Sequence, residues 1–137
     1  MQINPYLVFN GNCREAFTFY EKVLRGKIAF MATFGETPAT ADHHGPEFRD
    51  KIMHVRMTVG DQVLMGSDAP AEHYQPMQGF SVSINVTEPP EADRIFAALS
   101  EGGKVTMPIQ QTFWALRFGM LVDRFGTPWM VNCEEKK

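Results

Sequence analysis

Two side chains in one short stretch carry the strongest chemistry in the chain. In IMHVRMTV (Ile52–Val59), Met53, Val55, Met57 and Val59 alternate with Ile52, His54, Arg56 and Thr58. Strand side chains point to opposite faces with period two, so the imidazole of His54 and the guanidinium of Arg56 share a face. An imidazole titrates near neutral pH and can serve as acid or base. A guanidinium turned inward is costly unless a carboxylate or an anionic ligand meets it. Asp68 or Glu36 could supply the carboxylate, which would leave an ordinary salt bridge, or a ligand could supply the anion. His54 could equally be a satisfied core residue. Glu36 and His54 could meet as an acid–base pair or as a weak metal site. Ser67 and Asp68 stand at a strand end, where function is commonly carried. Phe113 and Trp114 are adjacent; read as part of a strand, one faces inward, where it would pack in the core or offer a stacking surface to a planar ligand. On that reading Trp114 and Arg117 lie on opposite faces.

Other reactive side chains are less convincing. His43 and His44 are neighbours in a polar stretch, His73 lies in another, and such histidines are usually solvated. Cys13 opens a helical pattern, where a thiol pKa can be lowered, but no partner base stands near it. Cys133 reads as packing.

The composition restricts the possibilities. The chain has 137 residues, 44% of them apolar and 21% charged, with a net charge of −3. That is one ordinary domain with enough core to stand without disulfides or metals. It lacks the field of Lys and Arg that nucleic acid requires. No apolar run approaches the ~20 residues needed to span a bilayer, and the first residues do not read as a signal peptide. Two cysteines make no disulfide framework. The expectation is a cytoplasmic protein without nucleic-acid or membrane partners.

Periodicity supplies the elements that position these residues. Residues 3–9 read as a strand ended by Asn10-Gly11-Asn12, with Asn12 as the helix N-cap. Ala16, Phe17, Tyr20, Val23 and Leu24 have helical spacing, and Gly26 is the expected C-cap. Residues 27–34 read as a strand, 35–51 as a long loop. The strand carrying His54 turns at Gly60-Asp61 into residues 63–67. A second loop, residues 68–78, leads to Phe80, Val82, Ile84 and Val86, alternating with Ser81, Ser83 and Asn85. Pro89 and Pro90 start a second helix, Gly102-Gly103 end it, and three more strands follow. In the last hairpin, Asp123-Arg124-Phe125-Gly126 reads as a turn, and Phe125, Trp129 and Val131 as structural.

The order is thus strand-helix-strand-strand-strand, twice. Ala16, Tyr20 and Val23 match Ala92, Phe96 and Leu99 at an offset of 76, and RGKI matches GGKV one residue later. Each half alone would expose one sheet face, the usual reason for a repeat. We expect one domain, residues 1–137, made of repeats at about 1–68 and 78–137.

Five segments carry a further likeness: NPYLVFNGNCREAFTFY (4–20), KIMHVRM (51–57), LMGSDAP (64–70), GFSVSINV (79–86) and TFWALRFGMLVDRFGTPWMVN (112–132). In them the chain resembles the vicinal oxygen chelate superfamily, which includes glyoxalase I, bleomycin-resistance proteins and extradiol dioxygenases. Within it the chain looks like the PhnB-like branch, often labelled 3-demethylubiquinone-9 3-methyltransferase. The resemblance implies an α+β fold of two βαβββ repeats forming a curved mixed sheet around a cleft, usually as a homodimer.

Glyoxalase-type members hold a divalent metal with imidazole and carboxylate ligands from equivalent strands of both repeats. The resemblance puts Pro5, Met65, Phe80 and Met130 in those seats, or Tyr6, Gly66 or Ser81 after a one-residue slip. None suits a hard or borderline cation, so we expect no glyoxalase-like metal and no cofactor. Three functions compete. One is a metal-free binder of a planar or anionic small molecule, using His54, Arg56, Phe113, Trp114, Ser67 and Asp68. Another is an enzyme of the superfamily with displaced metal or acid–base groups, His54 and Glu36 being the catalytic candidates. The methyltransferase of the label is disfavoured, because a conventional S-adenosylmethionine enzyme has a Gly-rich turn in a doubly wound parallel sheet, and FNGNC lacks that spacing.

Overall fold

Period-two runs become strands and period-3.6 runs become helices in two compact units, Met1–Pro76 and Met77–Lys137. The structure, a computed structural model, describes residues 1–36 and 45–134. The first unit holds β1 (Tyr6–Phe9), α1 (Cys13–Val23), β2 (Lys27–Thr33), β3 (Ile52–Val59) and β4 (Gln62–Asp68). The second holds β5 (Val82–Val86), α2 (Pro89–Ser100), β6 (Lys104–Gln110), β7 (Ala115–Val122) and β8 (Pro128–Glu134). Each unit is a four-stranded mixed sheet, ordered β1-β4-β3-β2 in the first and β5-β8-β7-β6 in the second. In both, the first strand pairs parallel with the last and the remaining pairs are antiparallel. This is the α+β fold of two βαβββ units. Among the described residues no helix is long and apolar enough to cross a membrane.

Each helix covers one sheet face, and the alternation shows which. In the first unit Leu7, Phe9, Val55, Met57 and Leu64 are buried with Phe17 and Tyr20 of α1. Gly66 lies beneath the Phe17 ring, where a Cβ would come within 2.7 Å of both Phe17 and the Leu7 carbonyl. Leu121, Trp129 and Val131 are buried with Ile95, Phe96 and Leu99 in the second unit. At about 25 cal/mol per Å² of apolar surface, these faces are the main source of each unit's stability.

The ends of α1 differ from local expectation. Asn12 makes no side-chain cap. Instead Asp68, from the end of β4, accepts from the Gly11 and Cys13 amides through Oδ1, each at 3.0 Å, and from the Ile52 amide through Oδ2 at 2.8 Å. A carboxylate also suits a helix N-terminus electrostatically. At the other end Arg25, not Gly26, takes the left-handed conformation, with φ 54°. The Gly26 amide donates back to the Glu21 carbonyl at 3.0 Å, closing a Schellman turn. Glycine is required at position 26 for space, because a Cβ there would lie 2.6 Å from the Thr58 carbonyl oxygen.

The β7–β8 turn is held by a second buried aspartate. Asp123 Oδ1 accepts from the Phe125 and Thr127 amides, and Oδ2 accepts from Trp129 Nε1 at 2.8 Å. Phe125 lies under the Arg124 guanidinium, while Trp129 and Val131 are core.

Candidate ligand-binding site

The sheet face of the first unit that α1 leaves uncovered carries the reactive groups. Register runs a row across all four strands, Tyr6 beside Met65, Met65 beside Arg56, and Arg56 beside Phe30. His54 stands two residues from Arg56 on the same face, paired with Ala32. The aromatic ends of the row lean toward it. Tyr6 stacks on the His54 ring, centroids 5.7 Å apart and planes 20° apart, and its hydroxyl is 3.2 Å from Nδ1. Phe30 lies 6.0 Å from the same ring, tilted. Tyr6 and Phe30 are 44% and 51% exposed, and His54 and Arg56 are half-buried. Ser67 follows Met65 on this face, beside Val8.

Arg56 has neither of the carboxylates the sequence offers it. Asp68 points to the helix side of β4, is 4% exposed, and spends both oxygens on backbone amides. That removes it from the ligand-binding residues expected above. Glu36 lies in a short 3-10 turn, Phe34–Glu36, and the contacts seen at His54 are to Tyr6 and Phe30. Among the described residues Arg56 makes no ion pair.

Two further expectations need correction, for the aromatic pair before β7 and for Ile52. Phe113 and Trp114 precede β7, so strand alternation does not apply to them. Phe113 is 96% exposed and packs edge-on against Trp114, which meets Phe118 in the same way. Ile52 is fully buried although period two puts it on the face of His54, because the β2–β3 register shifts between Ala32 and Thr33. Cys13 is no activated thiol: burial pushes its pKa far above the usual range, and the Asp68 carboxylate adds to the effect. Arg117 turns to the helix side, its guanidinium 2.7 Å from Asp93 on α2. His43 and His44 lie outside the described residues.

The second unit repeats the row with different chemistry. Ser83 stands beside Met130, Met130 beside Met120, and Met120 beside Met107. Asn132, two residues beyond Met130, donates to Asn85 Oδ1 at 3.2 Å, and its own Oδ1 is buried without a partner. No imidazole or guanidinium stands on this row.

Register also tests the family's metal seats, one unit at a time. Met65 is paired with Tyr6, not Pro5, and Met130 with Ser83, not Phe80. Each pair is a hydroxyl and a thioether, which does not fit a hard or borderline divalent cation. Among the described residues no three His, Cys, Asp or Glu side chains gather as metal ligands would.

In its fold the chain is similar to a glyoxalase/bleomycin-resistance/dioxygenase protein. A glyoxylase/bleomycin resistance protein/dioxygenase domain from Frankia sp. EAN1pec superposes with a TM-score of 0.66 over 98% of each chain, at 13% identity, a likeness of fold alone. The sequence model of the 3-demethylubiquinone-9 3-methyltransferase family matches residues 1–132, and the chain belongs to that family. It is 34% identical over 139 residues to Protein YjdN of Escherichia coli K12, covering 96% of this chain and 95% of that one. Protein PA1353 of Pseudomonas aeruginosa shares 51% identity over 99% of both chains, with a TM-score of 0.90. A Bacillus cereus structure described as a putative 3-demethylubiquinone-9 3-methyltransferase, PhnB protein, matches with a TM-score of 0.81 at 23% identity, over 97% of this chain and 99% of that one.

Proposed function

We propose that this protein of the glyoxalase/bleomycin-resistance type binds a small anionic molecule with a planar apolar portion on the open face of its first unit. It does so without a divalent metal in the family's usual seats. One observation carries the reading: Arg56 is half-buried beside the Tyr6–His54–Phe30 cluster and has no carboxylate partner among the described residues. A guanidinium so placed meets an anion through paired hydrogen bonds, and the exposed rings offer a stacking surface. Ser67 is a polar neighbour on that face. A homodimer in the cytoplasm belongs to the same proposal. Methyl transfer from S-adenosylmethionine is not part of it, since neither sheet is the parallel doubly wound type on which that cofactor conventionally sits.

Thermal-shift titration with phenylpyruvate, benzylphosphonate and the uncharged benzyl alcohol tests the reading. A ligand at a hundred times its dissociation constant adds about 2.7 kcal/mol, several degrees in Tm for a chain of this size. The anions should stabilise the protein, benzyl alcohol should not, and Arg56→Met should abolish the shift. Absence of stabilisation by either anion overturns the reading. Stoichiometric tight binding of Ni, Zn, Mn or Fe would overturn its metal-free part, and a monomer by light scattering its dimer.

A further inference from the structure

We propose that the same face catalyses proton transfer at the carbon beside the ketone of an aromatic 2-oxo acid, with Arg56 holding the carboxylate and His54 Nε2 carrying the proton. The proposal rests on the binding reading above and adds a reaction to it. The geometry that points to it is the Tyr6 hydroxyl at 3.2 Å from His54 Nδ1. That contact leaves Nε2 as the ring's other working atom. A hydroxyl both donates and accepts, so it suits the ring in either state. When Nε2 is bare, Nδ1–H donates to the Tyr6 oxygen; when Nε2 has taken a proton, the same donation persists. Tyr6 is therefore a positioning residue, keeping one ring orientation through both halves of a proton shuttle, and its stacking restrains the ring plane.

Spacing selects the substrate class. Residues two apart on a strand are separated by about 6.6 Å along it. For an acid whose carboxylate is hydrogen-bonded to Arg56 at about 2.9 Å, proton transfer requires a C–H about two bonds from the carboxylate carbon to come within about 3–3.5 Å of Nε2. That C–H is C3 of a 2-oxo acid, the acidic position beside the ketone. Phe30, Tyr6 and Met65 form the apolar platform on which an aromatic tail at C3 would lie. No carboxylate of β1–β4 points to this face, because Asp68 is turned to the helix side.

The step balances without a metal or an oxidant. The C3–H bond breaks and its electron pair forms the C2–C3 double bond. The ketone π pair moves to oxygen as an enolate, and the proton moves to Nε2. Nε2–H then returns the proton to the enolate oxygen, giving the enol, or to C3. The developing oxyanion is stabilised by the fixed positive charge of Arg56, the kind of electrostatic term on which such steps depend.

The test is phenylpyruvate in deuterated buffer, with loss of the C3 proton signal followed by NMR and binding followed by thermal shift. The protein should accelerate exchange at least a hundredfold over buffer, the usual scale of positioned acid–base catalysis. His54→Gln, with His54→Asn as a second variant, should lose the acceleration even when phenylpyruvate is raised until its thermal shift matches that of the unaltered protein. Tyr6→Phe keeps the ring and removes the hydroxyl, so kcat should fall about tenfold while KM holds; a purely structural role would change Tm instead. Normal binding with exchange at the buffer rate, or undiminished exchange in His54→Gln, overturns this proposal and leaves the binding reading standing. Absence of a thermal shift with phenylpyruvate overturns this proposal, and absence with benzylphosphonate as well overturns both.

Discussion

Replacing Asp68 by asparagine changes one atom's chemistry and should weaken the fold measurably. The carboxylate is buried and accepts three backbone amides, those of Gly11, Cys13 and Ile52. Asparagine can keep its oxygen toward Gly11 and Cys13. Its NH₂ then faces the Ile52 amide, donor against donor, and Ile52 is fully buried. An unsatisfied buried amide costs about 1–3 kcal/mol, and hydrogen bonds to a charged group exceed those to a neutral one. We therefore expect a loss of about 2–3 kcal/mol. Alanine would strand all three amides, with water reaching only Gly11 easily, and should cost about 4 kcal/mol or more, a large share of a typical 5–15 kcal/mol total. Asparagine is thus the informative variant. In urea, with a slope of about 1–3 kcal/mol per molar, its midpoint should drop by about 1 M. Amide exchange should show protection lost first at Ile52. An unchanged midpoint, with Ile52 still protected, would refute the claim that this carboxylate ties β4 to β3 and α1.

Two further changes act on the ends and interior of α1. Arg25→Gly removes the side-chain penalty of the left-handed residue in the Schellman turn and should raise stability by about 0.5–1 kcal/mol after the added freedom of the unfolded chain; a drop in Tm would contradict the turn geometry. The Cys13 thiol pKa is raised in the folded state, chiefly by burial. The folded protein then holds this proton where the unfolded chain has released it, so the stabilising contribution is present below about pH 8.5 and is lost above it, by at most about 1.4 kcal/mol per pH unit. Urea midpoints measured from pH 8 to 10 should fall less steeply for Cys13→Ala than for the unaltered protein; parallel slopes would refute the assignment.

Much of the architecture is legible as local period. The alternation through 52–59 marks β3, that of Val82, Ile84 and Val86 marks β5, and Pro89-Pro90 and Gly102-Gly103 bracket α2. The 76–77-residue offset between halves reappears as Tyr6 against Ser83 and Phe30 against Met107. What is not legible depends on partners distant in sequence. Asn12 is a sound local cap, yet the amide beside it is taken by a carboxylate fifty-five positions away. Tyr6 reads as one apolar residue of a strand, and only the parallel register with β4 brings its hydroxyl to His54. Phe30 is hidden in the same way, since its placement beside Arg56 follows from a bulged β2–β3 ladder. Phe113 and Trp114 continue the aromatic run of β7, but the strand begins one residue later, after Thr112 has hydrogen-bonded back to Ala115.

The cap of α1 also bears on how the chain emerges during synthesis. Chains are made from the N-terminus at about 5–20 residues per second, so the helix is exposed well before Asp68 has been added. During that interval its first amides are met by water alone, and β1 has no neighbour because its partner strand is still unmade. Completion of β4 therefore delivers two things together, the edge on which the first strand docks and the charge that closes the helix, so the first unit should gain its order in one late step.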